Sequence, residues 1–165
     1  CKSYSWNCIW YRKFFRQEEE RLREAVKRYF YLNYKYAEKK PVYNSKKSKK
    51  ESKLTYICNK DKRDDFIKKF GQQEFDKVAE EDAEWGLLKE IPIPEQYSWL
   101  FSQFLEMWGF AERDFNGNVI FGPRDILEYE LFIGVNFSYR ERKLFLLMKY
   151  AAQSAIHEIN DKKDS

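Results

Sequence analysis

The sequence predicts an all-α protein, with a helical arm joined to a compact C-terminal helical domain and room for one short β-hairpin. Three observations lead to this fold class. Apolar residues recur at helical spacing along much of the chain. Proline and glycine are few, 4 and 6 among 165 residues, and in the last third they stand where helices would begin and end. The 14 Phe, 12 Tyr and 5 Trp supply enough apolar surface for a core, although 35% of the residues are charged.

Residues 1–40 are predicted to form a basic, aromatic-rich helical arm. Glutamate and arginine four residues apart, as at Glu24 and Arg28, support a helix from Trp6 to about Glu38. The apolar stripe of this helix consists of Trp6, Ile9, Trp10, Phe14, Leu22, Val26, Tyr29 and Phe30. A charged face opposite an aromatic stripe indicates a helix that packs on one side and is solvated on the other.

Residues 41–60 are predicted to form a basic, flexible linker. Pro41 ends the arm, and the segment from 44 to 53 has no apolar side chain. Such a segment cannot bury enough surface to fold by itself. The short apolar run from 54 to 58 fits a strand or a helix start equally well. The lysines of the linker are Lys46, Lys47, Lys49, Lys50 and Lys53.

Residues 61–160 are predicted to form a helical domain with an acidic first half, followed by a polar tail at 161–165. Its first helical stretch runs from Lys62 to Trp85 and is interrupted at Gly71. The next helix is expected over 95–108, after two prolines, with an aromatic-rich face and a glycine at its end.

The last third of the chain contains clear turn and capping signals. Asn116-Gly117 precedes an apolar run and predicts a hairpin or tight turn. Pro123 is expected to begin a helix that Gly134 ends. Ser138 and Glu141 have the spacing of a capping box and predict the start of a final helix.

The net charge of +4 conceals a strong asymmetry between the two ends of the chain. From Cys1 to Arg63 there are 19 Lys and Arg against 7 Asp and Glu, a net charge of +12. From Asp64 to Ser165 there are 12 against 20, a net charge of −8. A basic arm can bind nucleic acid, an acidic partner or the acidic half of its own chain.

The residues that catalysis and metal binding require are scarce. His157 is the single histidine, so a Ser–His–Asp or Cys–His arrangement has one candidate base, which we expect instead to act near a helix C-terminus. No phosphate-binding glycine loop occurs, and the cysteines lack zinc-site spacing. We therefore expect no enzymatic activity, no cofactor and no metal.

Location and membrane association follow from cysteine usage and hydropathy. The three cysteines, Cys1, Cys8 and Cys58, are odd in number and have no C-x-x-C spacing, which favours a reducing cytoplasm. No apolar run reaches the 18 residues or so that a membrane span requires. We expect a cytoplasmic protein without membrane association.

The segment Ile91–Ile156 resembles the C-terminal region of phage tail assembly chaperones of the lambda-like frameshift-product type. The resemblance rests on Pro92-Ile93-Pro94 before an aromatic helix, on the loop from Arg113 to Gly117, and on two later helices separated by Gly134. It implies a non-enzymatic adaptor in the host cytoplasm that binds the tape-measure protein and delivers tail-tube subunits to it.

Two functions therefore remain open at this stage. For a protein–protein adaptor, the expected partner-contact residues are Trp99, Phe101, Trp108 and Phe115, because Trp is favoured at binding hot spots and these residues flank the loop. The alternative is a basic helical nucleic-acid-binding module, such as a phage-encoded regulator or inhibitor. In it the five linker lysines would neutralise phosphates.

Overall fold

A computed structural model describes the backbone of residues 4–42, 51–114 and 118–164, and the side chains of residues 14–35, 56–114 and 118–161. Seven α-helices within these ranges confirm the all-α prediction. Their bounds are α1 Tyr4–Asn33, α2 Asn59–Phe70, α3 Gln72–Glu81, α4 Ala83–Gly86, α5 Ser98–Phe110, α6 Pro123–Ile133 and α7 Tyr139–Asp164. A single 3-10 turn, Glu95–Tyr97, precedes α5.

The strands of the described chain form two antiparallel pairs. Strand β1 (Tyr36–Val42) pairs with β2 (Glu51–Ile57), and β3 (Glu112–Arg113) pairs with β4 (Val119–Ile120). The short hairpin expected near Asn116-Gly117 is present as the β3–β4 pair, although residues 115–117 themselves lie outside the described chain.

The prediction of a flexible linker over residues 41–60 is wrong for the part of it that is described. Strand β2 and the beginning of α2 occupy its second half, and β1 extends into its start. The two strands satisfy their backbone groups by pairing with each other, so an apolar composition is not required. The arm helix is also shorter than expected: α1 ends at Asn33, whose side-chain amide donates to the carbonyl of Tyr29 at 2.8 Å.

The chain divides into two compact units, and neither follows the expected boundaries at residues 40 and 61. The first unit combines Cys1–Arg28 with Ile91–Ser165, and the second is Tyr29–Glu90. In the first unit Leu22 and Val26 are fully buried, and Lys27 Nζ lies 2.5 Å from the carboxylate of Glu158. Part of the positive charge of the arm is therefore paired with the acidic half of the chain.

The core of the first unit is built around Phe104 of α5, which has no solvent exposure. Among the described residues, four other aromatic rings have their centroids 5.6–6.3 Å from that of Phe104: Phe101, Trp108, Phe121 and Phe145. Burying a side chain of this size stabilises the fold by about 1.5–3 kcal/mol. Aromatic packing in α5 thus holds together residues from α5, α7 and the segment after β4.

The helix ends in the first unit match their sequence signals. Pro123 begins α6, and Gly134 ends it in the left-handed region at φ 70°. The capping box is confirmed, because the Ser138 amide donates to Glu141 at 2.7 Å and the Glu141 amide donates to the Ser138 hydroxyl at 3.2 Å. The tail expected at 161–165 is helical as far as Asp164, where α7 ends.

The second unit has its own aromatic cluster. The ring of Phe66 lies 4.7 Å from that of Trp85 and 6.3 Å from that of Phe75, which is buried. Gly71, at φ 88°, separates α2 from α3, as the sequence predicts. The buried Asn59 side chain donates to the carbonyl of Tyr31 at 2.9 Å and links the start of α2 to the end of α1.

Candidate functional site

The four residues expected to contact a partner occupy different environments. Trp99 is half exposed, and the centroid of its ring lies 5.7 Å from that of Phe137 in an edge-to-face arrangement. Phe101 and Trp108 are 7% and 8% exposed, which corrects the expectation that they bind a partner. They are buried because α5 packs more than one of its sides into the core around Phe104. Phe115 lies outside the described chain.

The expected nucleic-acid-binding lysines lie mostly where the structure is not described. Lys46, Lys47, Lys49 and Lys50 fall outside the described residues. Lys53 lies within β2, and the register places it directly opposite Lys40 of β1. The β1–β2 pair therefore brings two lysine positions together that are 13 residues apart in sequence.

Among the described side chains of the first unit, the most exposed apolar ones belong to helix α6. Leu131 is 84% exposed, Phe132 is 78% exposed, and Leu127 is nearly half exposed. We call these three residues the α6 surface. Sequence reasoning did not single them out, although Leu127 and Leu131 are spaced one turn apart.

The sequence of α6 explains why these residues face solvent. Ile126 and Tyr129 are buried and form the inner side of the helix. Arg124 and Glu128 form an exposed ion pair at 3.0 Å, one turn apart. With 3.6 residues per turn, this pair lies between Leu131 and Phe132 on the solvent side of the helix. The α6 surface consists of the apolar residues that remain beyond the inner stripe, which is the signal that could have found them.

A partly buried ion pair fixes the position of α6 against α7. The carboxylate of Glu130 is buried and accepts two hydrogen bonds from the Arg142 guanidinium, at 2.7 and 2.9 Å. Arg142 also donates to the side-chain oxygen of Asn136 at 3.1 Å. The pKa of Arg142 is raised, chiefly by its hydrogen bond to Glu130. The apolar side chains of α6 are therefore presented on a helix that is held in place.

A shallow groove of about 270 Å³ adjoins α6, and we call it the Phe110 groove. Its apolar walls include Phe110 at the end of α5, which is 74% exposed, and Ile120 of β4, which is about half exposed. Tyr129 of α6 forms another wall, and Phe132 lies three residues further along that helix. Because residues three apart are neighbours on a helix, the groove adjoins Phe132. Leu127 and Leu131 are each two residues from Tyr129 and lie on the other side of α6.

Two carboxylates, Glu112 and Asp125, also line the Phe110 groove. Asp125 accepts a hydrogen bond from the Gly122 amide at 2.6 Å and so caps α6. At the wall formed by Tyr129, the phenol lies 3.0 Å from a carboxylate oxygen of Glu106, to which it donates. Burial, followed by the bond and charge of Glu106, raises the pKa of Tyr129 far above its ordinary value.

The charge of Asp125 acts on a nearby cation, Lys149. Its ammonium group donates to the carbonyl of Phe121 at 2.6 Å and lies 5.1 Å from the centre of that ring. Desolvation lowers the pKa of Lys149, and the charge of Asp125 partly offsets this. Lys149 thus supports the backbone next to β4.

The described part of the chain has no group of three His, Cys, Asp or Glu side chains that could hold a metal ion. None of its helices has the length and hydropathy of a membrane-spanning segment. His157 lies two turns before the end of α7, at 3.4 Å from Asp161, rather than at the helix terminus expected for it.

Comparison with known proteins does not supply a function. No protein-family model matches the chain, and neither the curated proteins nor the solved structures contain a match. The observations that bear on function are therefore the chain's own surfaces: the α6 surface, the Phe110 groove beside it and the basic β1–β2 pair.

Proposed function

We propose that the protein is a non-enzymatic protein–protein adaptor that binds its partner on the α6 surface. The observation that carries this proposal is the exposure of Leu131 and Phe132, 84% and 78%, on one helix. Single exposed apolar residues are ordinary on a soluble protein, whereas grouped ones mark interaction sites. Leu127 lies one turn from Leu131, and the groove lined by Phe110 and Ile120 adjoins Phe132.

The apolar side chains can supply a useful part of a binding free energy. Full burial of a Leu or Phe side chain contributes about 1.5–3 kcal/mol. Because about four-fifths of Leu131 and Phe132 is exposed, their burial in a complex would contribute about 2–5 kcal/mol together. A micromolar complex requires about 8 kcal/mol, so neighbouring contacts must supply the remainder.

The resemblance of Ile91–Ile156 to phage tail assembly chaperones supports an assembly role for this adaptor. On this proposal the partner is the tape-measure protein or a tail-tube protein, and the adaptor acts in the host cytoplasm. An elongated helical partner suits the site, because amphipathic helices bind apolar surfaces through residues at helical spacing.

The proposal is tested by capture of a partner with matched variants. The purified chain, immobilised, is incubated with extract of its native host, and the retained proteins are compared with those held by Leu131→Ser/Phe132→Ser. We expect at least one protein to be lost from the double variant and kept by Tyr150→Ser, whose side chain is exposed on α7. Identical retained proteins for all three chains would contradict the proposal.

A second function, nucleic-acid binding, is favoured by one specific observation. The register of β1 and β2 places Lys40 opposite Lys53. Phosphate binding by a protein depends on several lysine or arginine residues in one region of the fold. The expected lysines Lys46, Lys47, Lys49 and Lys50 belong to the segment that joins these two strands.

A salt titration with fluorescent DNA and RNA oligomers tests the second function. The logarithm of the affinity should fall linearly with the logarithm of the salt concentration. For duplex DNA, Lys40→Ala/Lys53→Ala should flatten the slope by about 0.9 for each phosphate contact that is lost. A slope that is the same for the variant and the parent chain would exclude these two lysines as phosphate contacts.

A further inference from the structure

We infer that the Phe110 groove accepts a basic amphipathic helix, with one large apolar side chain of that helix inserted between Phe110 and Ile120. This inference rests on the proposed adaptor function and specifies the chemistry of the partner. It concerns the groove beside the α6 surface.

The size of the groove favours an anchoring side chain over a small-molecule ligand. Pockets that enclose drug-sized ligands have volumes of about 300–1,000 Å³. The Phe110 groove is smaller, at about 270 Å³, and is shallow. Its most exposed walls, Phe110 and Ile120, can lose apolar surface to solvent only when another apolar group covers them. A helix that lays one side over Phe132 would place such a group in the groove.

The charge of the groove determines which charge its partner should carry. Glu112 and Asp125 line it, and Glu106 stands at its Tyr129 wall. No described side chain that lines the groove is cationic. Glu112 is exposed and forms no ion pair with any described side chain. Lysine or arginine beside the apolar anchor would therefore meet carboxylates.

Two cations close to these carboxylates, Lys149 and Arg113, also make other contacts. Lys149 donates to the carbonyl of Phe121, as described above. Arg113, next to Glu112 in β3, has its guanidinium 5.8 Å from the centre of the Trp108 ring. The acidic character of the groove therefore remains available to a partner, and its contribution should weaken as salt is added.

The inference is tested with two synthetic helical peptides that differ only in charge. Both carry Leu and Phe at the same helically spaced positions, and the polar positions are all Lys in one and all Glu in the other. Binding of each fluorescein-labelled peptide to the full chain is measured by fluorescence anisotropy. In low salt we expect the Lys peptide to bind at least about tenfold more tightly. That ratio should shrink in 0.3 M salt.

Three variants locate the binding. Phe110→Ser should weaken binding of the Lys peptide about tenfold or more, because the largest apolar wall is lost. Glu112→Lys should weaken binding of the Lys peptide and strengthen that of the Glu peptide. Glu95→Lys is the control of equal charge change. It precedes α5, whose 13 residues span about 20 Å and separate it from Phe110.

Three results would overturn the inference: equal affinity for the two peptides, no binding of either, or equal effects of Glu112→Lys and Glu95→Lys. The last would show that the peptide senses only the overall charge. None of these results would contradict the adaptor function if Leu131→Ser/Phe132→Ser still lost a partner from host extract. Failure of that capture experiment would instead remove the proposed function itself.

Discussion

The double substitution Leu131→Ser/Phe132→Ser should leave the fold almost as stable as before. Both side chains are about four-fifths exposed, so folding buries only about a fifth of each. With about 1.5–3 kcal/mol for complete burial, the loss is about 0.6–1.2 kcal/mol for the pair. The lower helix propensity of serine relative to leucine adds about 0.3 kcal/mol. The free energy of unfolding should therefore fall by about 1.5 kcal/mol at most.

Phe104→Ala provides the contrast. Its side chain is fully buried and has four aromatic neighbours, so truncation should cost about 3–5 kcal/mol. Urea denaturation followed by far-ultraviolet circular dichroism measures both variants. With a denaturant slope of about 2 kcal/mol per molar, the midpoint should move by about 0.7 M or less for the double variant and by about 1.5–2.5 M for Phe104→Ala.

A decrease of 3 kcal/mol or more in the free energy of unfolding of the double variant would contradict this prediction. Such a loss would show that Leu131 and Phe132 are packed against the rest of the protein. The α6 surface would then not be available to a partner. A small loss would make the capture experiment interpretable, because the partner would disappear from a protein that is still folded.

Three further predictions test other parts of the structure. Gly134→Ala should destabilise the first unit by about 1–2 kcal/mol because φ is 70°, whereas Gly109→Ala, in open space within α5, should stabilise it slightly; urea midpoints compare them. Hydrogen bonds from Cys58 lower the pKa of Asp61 below its ordinary value of 3.8. The stability that Asp61→Asn removes should therefore be constant above pH 3.8, and it should vanish as the pH falls through the folded-state pKa. Burial raises the pKa of Cys58 above 9.0, so in a Cys1→Ser/Cys8→Ser chain its reaction with a disulfide reagent at pH 8 should be slower than that of an unfolded control.

The sequence was most informative about the helices of the last third. Pro123, Gly134 and the Ser138–Glu141 capping box act over a few residues, and α6 and α7 begin and end close to the points that these signals predict. Such signals are local, because each satisfies or terminates backbone hydrogen bonds within one turn. The same reasoning placed Gly71 between α2 and α3.

The β1–β2 pair was missed because its cause is not local. The segment has the composition of an unstructured linker, and its strands exist through pairing between residues 36–42 and 51–57. The unit boundaries failed for a similar reason. Leu22 and Val26 are read correctly as apolar stripe residues, but the sequence does not show that Cys1–Arg28 belongs with Ile91–Ser165.

The sequence predicts the kind of candidate site, an apolar docking surface, but not the residues that form it. The aromatic-rich sequence of α5 suggests a docking surface. Phe101 and Trp108 are instead buried in the core, because α5 is buried on more than one side. Exposure depends on what surrounds a helix, and periodicity alone does not reveal it. The shorter helix α6, which buries one stripe and leaves Leu131 and Phe132 in solvent, carries the surface instead.

The most direct test of the central claim is site-specific photo-crosslinking from the α6 surface. A benzophenone amino acid is placed at Phe132 in one chain and at Tyr150 in another, and each is irradiated in extract of the native host. If α6 docks a partner, position 132 should give a discrete crosslinked product that position 150 does not give. Leu131→Ser should reduce that product. The same products from both positions, or none from position 132, would contradict the claim that α6 docks a partner.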